Sequence, residues 1–202
     1  MPSIDLPMSN DTFLSSVAPT TSYHTNTLLN IGESNAAAQI YRGLISPDFT
    51  GVPTDAIFKT AILKITPVGD LSSNAAVLYC HRALGYWNSG LDTATWNNVY
   101  AGAPWVIAGA YDSHDDYDGS KIIGSMSVVA SPTLNTQLEM TLDAAELKKL
   151  FDGTYDNWGL LLFTESETND LIQYASTNHA TSAYRPIITL TYSLPGGAAA
   201  FF

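Results

Sequence analysis

Apolar and polar residues alternate along most of this chain in short runs, each cut by a cluster of Gly, Pro, Asn, Asp or Ser. That pattern predicts many short β-strands joined by turns. The sharpest case is residues 137 to 142, where Leu138, Met140 and Leu142 take one face and Gln137, Glu139 and Thr141 the other. Residues 75 to 82 split in the same way. Val77, Tyr79 and His81 share one face; Leu78, Cys80 and Arg82 share the opposite one. Further strands are predicted over 27–31, 39–45, 58–66, 121–129, 159–164, 171–175 and 187–192. The stretch from Trp87 to Gly119 is rich in turn residues and reads as a long connection.

One segment has a helical period. Asp143 stands as an N-cap with Glu146 three residues on, Leu147, Leu150 and Phe151 form an apolar stripe, and Asp152-Gly153 ends it. Many strands, frequent turns and one short helix predict an all-β fold, an antiparallel β-sandwich of jelly-roll type. Residues 1–10 carry two prolines and read as an N-terminal arm. Residues 11–193 form one domain without an internal repeat, and 194–202 are a flexible apolar tail ending in Phe201 and Phe202.

Composition narrows the functions. The chain has 202 residues, 46% of them apolar and 13% charged, enough to bury a sizeable core. Its formal charge is −11, with only 8 Lys and Arg, which argues against nucleic acid and against an anionic membrane surface. Cys80 is the single cysteine, so no intrachain disulfide forms. The first residues have neither a basic start nor an apolar core, so no signal peptide is expected there.

An ordered set of motifs resembles the DNRLRE-type domains, β-sandwich modules similar in shape to carbohydrate-binding modules. Asp11-Thr-Phe13, Leu29-Asn-Ile-Gly32 and Tyr41-Arg-Gly-Leu-Ile45 come first. Ala61-Ile-Leu-Lys-Ile65, Leu78-Tyr79 and Trp87 follow, then Thr95-Trp-Asn-Asn98, Trp105 and Asp116-Tyr117. Asn157-Trp-Gly-Leu160, Tyr174-Ala-Ser176 and Arg185 to Tyr192 complete the set, which runs from about residue 11 to 192. The tract that names that family is missing here: Pro47-Asp48-Phe49 stands in its region. The resemblance implies a β-sandwich without shared catalytic residues, of a kind met in secreted polysaccharide-related proteins and in bacteriophage particles.

Read for chemistry, the chain offers few sites. Gly124-Ser-Met-Ser-Val lacks the second glycine of a nucleophile elbow, and the four histidines sit in no ligand spacing. No enzyme activity is expected. Asp112, Asp115, Asp116 and Asp118 are a candidate calcium loop, although an EF-hand register on Gly119 would put His114 first and Ser125 twelfth. No other cofactor is indicated. Trp87, Trp96 and Trp105 recur at nine-residue intervals, which is not a strand period and does not put three rings on one surface; the resemblance implies that each is a separate core plug in the long connection. Trp158 beside Asn157 is the candidate glycan contact. Phe201 and Phe202 are a candidate docking tail.

These features predict a non-catalytic structural or adhesive protein. The first expectation is a phage virion component, such as a capsid decoration, collar or tail accessory. It would be made in the host cytoplasm, sit on the virion surface and assemble with protein neighbours as an oligomer. The alternatives are a secreted carbohydrate-binding module and a polysaccharide hydrolase outside the known motifs.

Overall fold

A computed structural model describes residues 1–34, 39–88 and 94–195. The strands are β1 (Ser3–Ser15), β2 (Leu28–Ser34), β3 (Gln39–Pro47), β4 (Ile57–Ile65), β5 (Pro67–Asp70), β6 (Ala76–Ala83) and β7 (Asn98–Tyr100). They continue with β8 (Ala103–Pro104), β9 (Tyr117–Val128), β10 (Leu138–Leu142), β11 (Leu160–Thr164), β12 (Ile172–Ala175) and β13 (Ile187–Ser193). The one α-helix among the described residues is α1 (Ala144–Phe151).

The all-β expectation with a single short helix stands. The finer arrangement is a closed ring. Eight strands follow one another in the order β1-β13-β4-β10-β9-β6-β11-β3, and β3 pairs back onto β1. Two joints in this ring are corners. At one, β1 changes partner. Ser3 to Pro7 pair with β13, a register shift follows between Met8 and Asn10, and Asp11 to Ser15 pair with β3. At the other, β9 and β10 share a single pairing, Leu142 with Gly124. A bulge at such a corner bends a strand and lets it serve two walls. β2, β12 and β5 extend the β3 wall in that order.

The arm expected over residues 1–10 is therefore corrected: Ser3 to Asn10 are strand. Leu6 and Met8 are buried and Ile4 is half-buried, a strand period that Pro2 and Pro7 mask in the sequence. Pro7 lacks an N–H to donate but its carbonyl accepts from the Asp48 N–H at 2.9 Å. Of the tail expected over 194–202, residues 196–202, Phe201 and Phe202 included, lie outside the described residues.

Alternation decides the core. Leu78 and Cys80 of β6, Leu160 and Leu162 of β11, and Ile45 of β3 point into the main core with Leu63, Ile65, Met140 and Ile188. Leu29, Ile31, Ile172 and Tyr174 bring the β2–β12 extension onto the same core. Helix α1 packs on β4 and adds Leu147 and Leu150. Its start is as predicted, because the Asp143 carboxylate accepts from the Ala145 and Glu146 N–H groups.

A second, smaller core lies on the outer face of β3, β11 and β6. Leu44, Leu161 and Phe163 point outward there and are covered by the connection that follows β6, through Trp87, Val99, Trp105 and Ala110. β11 is thus buried on both faces, which explains its unbroken run Leu160-Leu-Leu-Phe163. Trp87 and Trp105 are buried plugs, as the resemblance implied, and the Trp105 indole donates to the Thr95 carbonyl at 2.8 Å. Gly159 enters β11 at φ +82°, where a side chain would strike the Ile45 carbonyl and the Trp87 ring.

Candidate functional site

The covering connection stops short of one part of the outer face. Where it stops, β6, β9 and β11 line a shallow groove with aromatic side chains, Tyr79 half-buried beside the buried His81 and Phe163. Phe163, Tyr79 and Ser125 stand side by side across the three strands, and His81 stands opposite Ile122. All of them are on the face away from the main core, because Leu78, Cys80 and Leu162 take the other. The alternation read in the sequence for Val77, Tyr79 and His81 holds.

A groove of about 200 Å³ runs here, lined by Tyr79, His81, Gly119, Ile122, Phe163 and Glu165. His81 and Phe163 form its buried floor. Their rings stack at 5.4 Å with an 18° tilt, and Tyr117 meets His81 edge-on at 5.0 Å. Tyr79 lies 6.3 Å from Phe163, and Tyr111 meets Phe163 edge-on at 6.0 Å. Tyr111 is 41% exposed and Ile122 49%. A neighbouring hollow of about 340 Å³ includes Val77, Ser127, Val129 and Ser166 and shares Glu165. Along β6, Val77 to His81 span roughly 13 Å at a strand's rise per residue.

Polar groups at the groove are fixed. The Tyr79 hydroxyl donates to Glu165 Oε2 at 3.1 Å, and this bond holds the phenol above its ordinary pKa. His81 Nδ1 donates to the Asp118 carbonyl at 3.0 Å, which sets the ring plane and the tautomer. Burial raises the Tyr117 hydroxyl pKa. Arg42 stands beneath the margin. Its guanidinium lies 4.0 Å over the Tyr111 ring and 5.0 Å from Trp96. It donates to both Glu167 oxygens, at 2.7 and 3.0 Å, and to the Gly109 carbonyl at 2.8 Å. One buried cation thereby ties β3, the covering connection and the segment after β11 together.

The acidic run is used internally. Asp116 is buried, and its carboxylate accepts the N–H groups of Val106, Ile107 and Asp112 at 2.9 to 3.0 Å. Asp112 accepts from the His114 and Asp115 N–H groups in a tight turn. Asp118 is paired with Arg82 at 2.9 Å and accepts from Ser120. Among the described residues no three His, Cys, Asp or Glu side chains converge to hold a metal. The carboxylates of Asp112, Asp116 and Asp118 already accept from N–H groups within the fold, and with no three such side chains converging among the described residues the run does not fit Ca²⁺ as it stands.

Trp158 and Asn157 lie at the other end of β11 from Glu165. Trp158 is half-buried and 6.2 Å from the exposed Tyr86. The Asn157 amide donates to the Pro47 carbonyl at 3.3 Å, and its backbone carbonyl accepts from Asn88. The two do not join the groove. Tyr79, His81, Tyr111, Phe163 and Glu165 were not predicted as site residues. The signal for them was a Tyr and a His on the strand face opposite a cysteine.

The family model described as the disaggregatase-related repeat domain matches residues 11–190. The chain belongs to that family. The match covers nearly the same stretch as the resemblance to DNRLRE-type domains, under a different description. No curated protein matches the chain.

Proposed function

We propose that this member of the disaggregatase-related repeat family is a non-catalytic module that binds a polysaccharide along the aromatic groove of β6, β9 and β11. The observation that carries the reading is the aromatic groove in which Tyr79 borders a floor of His81 and Phe163, with the exposed Tyr111 ring set against Phe163 beside it. Aromatic faces meet the C–H face of a sugar ring, and a hydroxyl and a carboxylate beside them supply directional bonds to its hydroxyls. Tyr79 and Glu165 provide that pair.

Chemistry at the groove favours holding over cleaving. Glycoside hydrolysis needs two carboxyl groups flanking the bond. At the margin Glu167 and Asp118 are each tied to an arginine, and Asp112 is engaged with the His114 and Asp115 N–H groups. The ring, with one corner in β1 and another at the β9–β10 joint, is read as jelly-roll-like. Of the alternatives drawn from the sequence, this is the secreted carbohydrate-binding module. The virion reading drew on an arm at either end of the chain; of these, Ser3 to Asn10 are committed to the ring, and residues 196–202 lie outside the described residues.

Calorimetry against hexasaccharides tests it. Tyr79→Ala and Tyr111→Ala should each weaken binding about tenfold, the scale of one lost aromatic contact of ~1.4 kcal/mol. Binding that survives both variants and disappears in Trp158→Ala would move the site to the Tyr86–Trp158 pair and overturn the groove.

A further inference from the structure

Charge around the groove restricts which polysaccharide fits. The inference rests on the groove being the binding surface. A polyuronate or a sulfated glycan presents repeating anions, which proteins take up with unengaged Arg forks or Lys ammonium groups. The eight Lys and Arg of the chain are all described, so each is accounted for. At the groove margin Arg42 has its donors on Glu167 and Gly109, and Arg82 is on Asp118. Lys121, on the same strand as Ile122, reaches Asp143 at 3.0 Å and Glu146 at 3.9 Å. Lys64, Lys148 and Lys149 are likewise paired, with Glu139, Asp152 and Glu146. Lys59 on β4 and Arg185 just before β13 belong to the walls across the ring from β11 and β6.

What the groove does present is a carboxylate. Glu165 is exposed and borders both hollows, so any chain laid along the groove passes it. The protein around it carries a formal charge of −11. An anionic sugar would meet a like charge there, while the nearby cations Arg42, Arg82 and Lys121 are each already paired with a carboxylate.

We infer that the groove selects polysaccharides that carry no acidic groups, neutral or amino sugars, and that Glu165 is the residue that turns acidic glycans away. Its carboxylate accepts from sugar hydroxyl or ammonium groups and repels uronate or sulfate at the same place.

The experiment compares xylohexaose (neutral), a chitosan hexamer (amino) and hexagalacturonate (acidic) on wild type, Glu165→Gln and Tyr79→Ala, at 0.02 and 0.5 M NaCl. Wild type should bind the neutral or the amino hexamer at least tenfold more tightly than the acidic one at low salt. The gap should shrink in Glu165→Gln. For the amino or acidic hexamer it should also shrink at high salt, where the screening length falls to a few ångströms (~4 Å). Tyr79→Ala should lose the binding of whichever hexamer binds. Tighter binding of hexagalacturonate that Tyr79→Ala abolishes would overturn the charge selection and leave the groove standing. So would an unchanged gap in Glu165→Gln. Absence of binding to all three hexamers at millimolar concentration would overturn the groove itself.

Discussion

Asp11 is the residue at which burial and charge conflict most openly. It sits just past the corner bulge of β1, almost without solvent contact, and accepts from the Thr177 N–H at 2.7 Å and hydroxyl at 2.9 Å. Burial pushes its carboxyl from the ordinary 3.8 up to about 6, against the lowering effect of the two Thr177 bonds. The folded state therefore holds the proton more tightly than the unfolded chain. The stability from this site is full below pH 3.8 and is lost as pH rises through 6. The loss amounts to about 2–3 kcal/mol for a shift of this size. Asp11→Asn keeps the shape and removes the titration. Urea midpoints of wild type and variant between pH 4.5 and 7.5 should diverge, with wild type falling behind as pH rises. A constant difference across that range would sink this account of Asp11. Arg42 shows the opposite solution, since its buried charge is met by two oxygens of Glu167 and two aromatic faces.

At the scale of elements, the strands and the long connection after β6 were legible, but how much of the sheet that connection covers was not. Strands have a period of two, and the sequence shows it directly in residues 75–82 and 137–142. The helix was legible because Asp143, Leu147 and Leu150 each do one local job. Residues 3–10 were misread because the prolines hid the alternation of Ile4, Leu6 and Met8. The groove escaped for a different reason. It exists where a long irregular segment ends, and no local pattern states how far that segment reaches. Phe163 looks like core from its neighbours and is core on one side only. The connection itself depends on Asp116, whose carboxylate gathers three N–H groups. Asp116→Ala should cost at least ~2 kcal/mol, given what bonds to a buried charge contribute. Hydrogen exchange should speed up at Val106 and Ile107 first, with the β4 and β13 amides unchanged. Uniform acceleration across the barrel would mean that the connection is not a separable cover.

For the whole molecule, closure of the ring depends on its first strand. β1 bridges β13 and β3, so it holds two walls with one segment. A chain beginning at Met8 should lose the β13 pairing and melt at least ~10 °C lower, since several kcal/mol of burial goes with Leu6 and its ladder. A chain ending at Pro195 keeps every β13 pairing and should melt within a few degrees (~2 °C) of the full chain, a change typical of a surface alteration. Circular dichroism melts of the two truncations check both. Equal losses would mean that the β1–β13 joint does not close the barrel.

That joint also fixes how the molecule responds to a pull. Ser3 pairs with Thr191, and the Pro2 carbonyl accepts from the Tyr192 N–H, so the two ends of the chain leave the barrel side by side. Tension applied through neighbouring segments draws β1 and β13 apart from that end. It opens their hydrogen bonds one after another, like a zipper, instead of loading them together in shear. The module is therefore mechanically soft along its own termini even where it is thermally stable. In a string of such modules each would hang as a bead from a single point and add little to the string's length until its first strand peels away.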